Sequence, residues 1–221
     1  MRHRTCIAAG VMLAACAFIH ASPNGAPSSA PLPSQIKRAE KIVQSLSLHE
    51  SAIKEAATAA IAGQYAALSS IQAARDAAIK EAKLLRSTDK AASEAAIHAA
   101  QTRALDEQRT LHAHFLSILA SALKPDQIDK VKDGMTYGVL PLTYRVYQEM
   151  IPGLTAEQKS RILAWLTEAR ELAMDGGSSE EKHAIFGRYK GRINNYLSAA
   201  GVDMKKAEQE MMERKKAASA P

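Results

Sequence analysis

The stretch Phe186–Asp203, FGRYKGRINNYLSAAGVD, sets two glycines one helical turn apart among basic and amide side chains. A glycine inside a helix costs about 1 kcal/mol relative to alanine, so a repeated one implies close approach to the backbone. Two visitors fit, a crossing helix or a ligand. Steps of about 100° per residue, centred on Ile193, put Phe186, Tyr189, Tyr196, Leu197 and Ala200 within about 60° of the buried face. His183, Lys190 and Asn194 fall together on one flank, with Gly187 and Gly191 just beyond them. Arg188, Arg192 and Asn195 lie on the other side. Sugars suit such a strip, because hydroxyls want paired donors and acceptors and the apolar ring face wants an aromatic plate. Tyr137 or Tyr144 would supply that plate. The candidate binding residues are therefore His183, Lys190, Asn194, Asn195, Arg192, Gly187, Gly191, Tyr137 and Tyr144. In the competing reading the glycines admit another helix, and the polar flank satisfies carbonyls of the segment MTYGVLPLTY.

No catalytic framework accompanies these residues. GxSxG, HExxH and phosphate-loop motifs are absent from the sequence. His112 and His114 are two apart, which on a helix points them to different sides, and His183 has no histidine at i+4. Asp133, Glu168, Glu171, Asp175, Glu180 and Glu181 could supply an acid and a base, but spacing along the chain does not give their separation. Glu168 and Arg170 read as a surface ion pair. Cys6 and Cys16 are the only cysteines, both near the N-terminus, so the remaining chain has no disulfide or thiol chemistry. No catalytic residue, metal ligand or cofactor is assigned.

The N-terminus explains the cysteines. Arg2 and Arg4 precede an uncharged apolar run, Thr5–Ile19, that is short of the roughly 20 residues a membrane span needs. This is an export signal over residues 1–21, followed by a Pro/Ser-rich linker over 22–33. LAAC at Leu13–Cys16 fits lipoprotein-type cleavage with lipidation of Cys16, whereas IHA at Ile19–Ala21 fits ordinary signal peptidase. The expected location is exported: periplasmic, secreted or lipid-anchored to a bacterial membrane, with Cys16 as the only membrane attachment. The formal charge of +6 falls to +4 without Arg2 and Arg4. Acidic residues are interspersed with the basic ones, so nucleic acid is not an expected partner.

An all-α fold must position the strip. Residues 34–122 are alanine-rich, with Tyr65 and Phe115 their only aromatics. Ile61, Leu68, Arg75 and Ala82 repeat every seven residues, as do Gln64, Ile71, Ala78 and Leu85. After RSTDK, where Ser87, Thr88 or Asp89 can cap a new helix, a second ladder runs from Ile97 through Ala104, Leu111 and Phe115 to Ala122. Two matched seams predict an antiparallel coiled-coil hairpin about 55 Å long, a spacer or an oligomerisation surface. Residues 123–201 hold Trp165, Phe186 and five tyrosines, and predict a compact aromatic-cored bundle on which the hairpin packs or from which it extends. Within it LKPDQIDKVKDG is a helix opened by Pro125, MTYGVLPLTY a loop and RVYQEMIP a short helix. Thr155 and Gln158 form the capping box of the next helix, whose buried stripe reads Ile162, Trp165, Leu166, Ala169 and Leu172. Residues 202–221 form a charged tail helix.

The segments KVKDGMTYGVLPLTY, MIPGLTAEQKSRILAWLTEAREL and AMDGGSSEEKHAIFGRYKGRINNYLSAAGVDMKKAE resemble a domain-of-unknown-function family (DUF 3826) of secreted bacterial proteins. The likeness covers roughly Leu123–Glu208 and implies a carbohydrate-associated, sugar-binding role without catalytic residues to carry over. A non-catalytic accessory of carbohydrate binding or utilisation is thus the first expectation. LKPDQ and LTAEQ also resemble the L-T-x-x-Q repeats of periplasmic helical chaperones, which supplies the alternative. A carbohydrate-active enzyme is the second alternative.

Overall fold

The computed structural model describes residues 30–218. The expected export signal, Cys16 and most of the expected linker lie outside the described residues. Within them eight α-helices follow one another: α1 (Pro33–Gln44), α2 (Ser51–Leu84), α3 (Lys90–Ala122), α4 (Pro125–Met135), α5 (Val139–Met150), α6 (Ala156–Met174), α7 (Ser179–Ala199) and α8 (Met204–Ala218). The class is all-α, as the alanine and charge pattern requires. Among the described residues no helix is long and apolar enough to cross a membrane.

The helices α2 and α3 form the hairpin, joined by a 3-10 turn at Leu85–Ser87. Asp89 caps α3 by accepting from Ala92 N at 2.9 Å. Both L-x-x-x-Q segments are engaged at helix starts. Gln158 Oε1 accepts from Thr155 N while Thr155 Oγ1 accepts from Gln158 N, at 2.9 and 3.1 Å. Gln127 Oε1 accepts from Lys124 N at 3.0 Å.

Hydrophobic burial divides into two cores. The first gathers Ile42, Leu46, Ile61, Tyr65, Phe115, Leu119, Val131, Met135 and Met174 from α1–α4 and the end of α6. The second gathers Leu140, Tyr147, Ile162, Leu166, Phe186, Ile193, Leu197 and Met211 from α5–α8. The short helix α4 thus gives its buried apolar side chains to the first core while its polar face meets α6. The charged tail helix α8 docks through buried Met211, and Arg214 Nη2 donates to Glu149 O at the end of α5 at 2.8 Å.

Three local expectations are corrected. MTYGVLPLTY is not a loop: α5 begins at Val139, inside it. Pro141 occupies the third position of that helix, where an N–H would have no intrahelical acceptor, so its missing donor costs nothing. The α6 stripe is Ile162, Leu166, Ala169 and Ala173; Leu172 is 51% exposed. Arg170 is not at the surface but is 7% exposed, between α6 and α4.

The helix crossing that needs a glycine is at Gly134. A Cβ there would lie 2.8 Å from Ile42 Cγ1 and 3.1 Å from Ile42 Cγ2, where α4 meets α1. Ile42 is buried and β-branched, so it cannot swing aside. Gly134→Ala is expected to lower stability by roughly 1–2 kcal/mol, overpacking outweighing the better helix former. A thermal melt checks it, and an unchanged or higher midpoint contradicts the crossing.

Candidate functional site

The turn between α4 and α5 sets the first candidate. Helix α4 ends with Gly138 N donating to Asp133 O at 2.7 Å and Tyr137 N donating to Gly134 O at 3.4 Å. This is the Schellman pattern, in which the residue after the cap is left-handed and usually glycine. Helix α7 ends in the same pattern, with Val202 N on Leu197 O at 3.0 Å and Gly201 N on Ser198 O at 3.0 Å. There the left-handed position is Gly201, at φ +87°. On α4 it is Tyr137, at φ 60°. A bulky residue in that region stores about 1 kcal/mol or more of strain, and such strain collects at functional positions. The Tyr137 ring is 46% exposed. It stacks on His183 of α7 at 5.7 Å between centroids and 17° between planes.

From His183 the flank runs along α7. Tyr147, buried on α5, donates to Asn194 Oδ1 at 2.6 Å and to Lys190 O at 3.3 Å. Burial pushes the Tyr147 hydroxyl up to about 12, so it remains a donor. Between the Tyr137–His183 stack and the Tyr147–Asn194 bond lie Gly187 and Gly191. Among the described residues no atom beyond the helix's own backbone comes within 4 Å of a Cβ built at either, so none of the other described helices crosses there. The crossing reading of these glycines is therefore wrong. The Asn194 amide serves a tyrosine on α5, not loop carbonyls. Lys190 is exposed, and its ammonium pairs with no carboxylate among the described residues.

The remaining candidates separate from this strip. Arg192 lies over the Trp165 ring at 4.5 Å and 3.7 Å from Glu168 Oε2, on the opposite edge of α7. Asn195 is exposed on that same far side. Tyr144 is half-buried against the second core. The structure thus brings together Tyr137, His183, Gly187, Lys190, Gly191 and Asn194.

A second polar group, invisible in the sequence pattern, lies where α3, α4 and α6 meet. Arg170 donates to Asp129 at 2.7 Å and to Asp133 at 3.0 Å. Lys132 Nζ donates to Glu171 Oε2 at 2.8 Å. His112 lies 3.0 Å from Asp175 Oδ2 through Nδ1 and 3.6 Å from Glu171 Oε2 through Nε2. Gln72 and Gln108 each donate to Asp175 O at 3.4 Å. Its carboxylates face cations, and among the described residues no group of three or more metal-ligating side chains is arranged around an ion. This group joins the hairpin to α4 and α6. Only one partner pair, Arg170 and Glu171, is adjacent in sequence, so spacing alone could not reveal it. A shallow depression of about 510 Å³ lies on successive turns of α3 alone, from His98 to Thr110, and encloses nothing.

A family model described as a protein of unknown function (DUF3826) matches residues 33–217. The chain belongs to this family. The match runs from the first residue of α1 almost to the end of α8, so the alanine-rich hairpin is part of the DUF3826 unit along with the region 123–208 that the motifs cover. Among curated proteins none matches the chain.

The cluster around His112 sets a pH dependence. The Asp175 and Glu171 carboxylates beside it favour the protonated ring and hold His112 up at about 9. Burial disfavours the Glu171 anion, but hydrogen bonds from His112 and Lys132 and the charges of Lys132 and Arg170 outweigh it and hold the carboxyl at about 2. The His112 contribution to stability is complete below the free-histidine value of about 6.5 and is lost as the pH rises through about 9. The Glu171 contribution is present above about 4.5 and is lost as the pH falls toward about 2. His112→Gln is expected to cost roughly 1–2 kcal/mol at pH 6 and much less at pH 10. Urea melts of both proteins at the two pH values check this, and a difference independent of pH contradicts it.

Proposed function

We propose that this DUF3826 protein is an exported, non-catalytic carbohydrate-binding accessory, and that the sugar lies on the open edge of α7. The observation that carries this reading is the empty space over Gly187 and Gly191. Each costs the helix about 1 kcal/mol, and no packing demand among the described residues accounts for it. A ligand approaching the backbone does. The Tyr137 ring, set in a strained turn and braced by His183, supplies an apolar plate at one end of the strip. Lys190 supplies a donor along it, and the amide nitrogen of Asn194 keeps its two protons while Oδ1 serves Tyr147. Sugar recognition by a plate and a few aimed polar groups needs no deep cavity. Both L-x-x-x-Q segments cap helices, so that motif adds no separate argument for the chaperone alternative.

Two substitutions test the reading, each against a glycan array and a thermal melt. Gly191→Ala is expected to raise stability by about 0.5–1 kcal/mol while weakening glycan binding about tenfold or more, because the methyl occupies the strip. Tyr137→Gly is expected to leave stability within about 1 kcal/mol, strain relief offsetting the lost ring stack, and to abolish binding. No binding to any glycan by the unsubstituted protein, or unchanged affinity in both variants, overturns the assignment.

A further inference from the structure

The hairpin reaches well past the two cores. The outermost hydrogen bonds between it and the later helices come from Gln72 and Gln108, both to Asp175 O. Beyond them, Ala82, Ser93, Ala100 and Ala104 are buried, and none belongs to either core. They are small seam residues that let α2 and α3 approach closely. From residue 73 to the turn is about 18 Å at roughly 1.5 Å per residue. At the end of this slim arm the sequence places two leucines in water. Leu84 is 75% exposed and Leu85 is 45% exposed.

The charges around those leucines are mostly basic. Lys80, Lys83, Arg86 and Lys90 are exposed there, against Glu81 and Asp89. Lys90 lies 3.8 Å from Glu94, and Asp89 is committed to capping α3. Lys80, Lys83 and Arg86 have no ion pair among the described residues. An apolar pair ringed by uncommitted cations fits a surface with anionic groups outside and hydrocarbon beneath, where basic side chains meet headgroups and leucines enter the acyl boundary. A protein partner of ordinary kind needs about 800 Å² from each side. A bilayer makes no such demand, since a few side chains suffice to hold a tip on it.

We propose that the α2–α3 tip is a membrane-contact element that inserts Leu84 and Leu85 into an anionic lipid surface, with Lys80, Lys83 and Arg86 on the headgroups. The proposal is independent of the sugar site on α7. It gives the arm a purpose, to hold the two cores at a distance from the bilayer.

The test uses the full chain carrying Leu84→Trp, an exposed position where the fold is not at stake. Vesicles contain phosphatidylcholine alone or with phosphatidylglycerol, and Trp165 emission is removed by subtracting the unsubstituted chain. Tryptophan at the tip reports its own insertion, whatever the N-terminal segment does. The expected result is a blue shift and quenching by brominated lipid in phosphatidylglycerol vesicles, reversed by high salt. Adding Lys83→Glu and Arg86→Glu should lower the inserted fraction about tenfold or more at low salt. No blue shift in phosphatidylglycerol vesicles overturns the proposal. So does an equal shift in neutral vesicles. A shift without lipid that grows with protein concentration also overturns it, showing that the tip binds a second copy.

Discussion

One buried ammonium holds the candidate site in place. Lys182, 4% exposed, donates to Met135 O and Met174 O, both at 3.1 Å. These are the last residues of α4 and α6, where unpaired carbonyls and the negative ends of two helix dipoles converge. A cation there satisfies both helix ends at once. Burial pulls Lys182 down to about 8, which still leaves it charged at neutral pH. The Tyr137 turn follows Met135 directly, and His183 follows Lys182. The stack that makes the aromatic plate is therefore set by the residue beside it, through hydrogen bonds that fix α7 against the end of α4. Lys182 also lies 6.0 Å from the Tyr65 ring centroid, so the same ammonium reaches into the first core.

Glycines in this protein do two unlike jobs. Gly134 is a packing residue: a Cβ there meets buried Ile42, and its absence lets α1 approach the end of α4. A Cβ at Gly177 would meet only the movable end of the Gln72 side chain. Among the described residues, Gly187 and Gly191 meet nothing. The contrast separates a glycine that the packing of described residues requires from two that it does not. Tyr137 is the converse case, a side chain where the backbone favours glycine. Both departures from local preference occur on one face, within two turns of each other along α7.

How much of this was legible in the sequence depended on the range of the interaction. Helical periodicity and capping signals act over a few residues, so a helix start within Ser87–Asp89 and another at Thr155 with Gln158 were readable, and Ile193 as the centre of a buried face. The flank of His183, Lys190 and Asn194 followed from the same geometry. Gly138 and Pro141 misled because they are helix breakers in a helix interior, and here both stand at its first turn. Arg170 misled because its partners Asp129 and Asp133 are 41 and 37 residues away, and no spacing rule reaches that far. Whether the glycine strip was a crossing or an open face was likewise undecidable from one helix. It depended on where α1–α5 lie, and those positions are set by the two cores.

The central claim is that the open edge of α7 is a binding face, and mapping ligand contact on the backbone tests it most directly. Amide chemical shifts of the isotope-labelled protein would be followed while the best glycan from the array is added. The account predicts that the perturbed amides cluster at Tyr137, His183, Gly187, Lys190 and Gly191. Perturbations confined to the hairpin or to the Trp165 edge of α7, with the glycine amides unmoved at saturation, would contradict it.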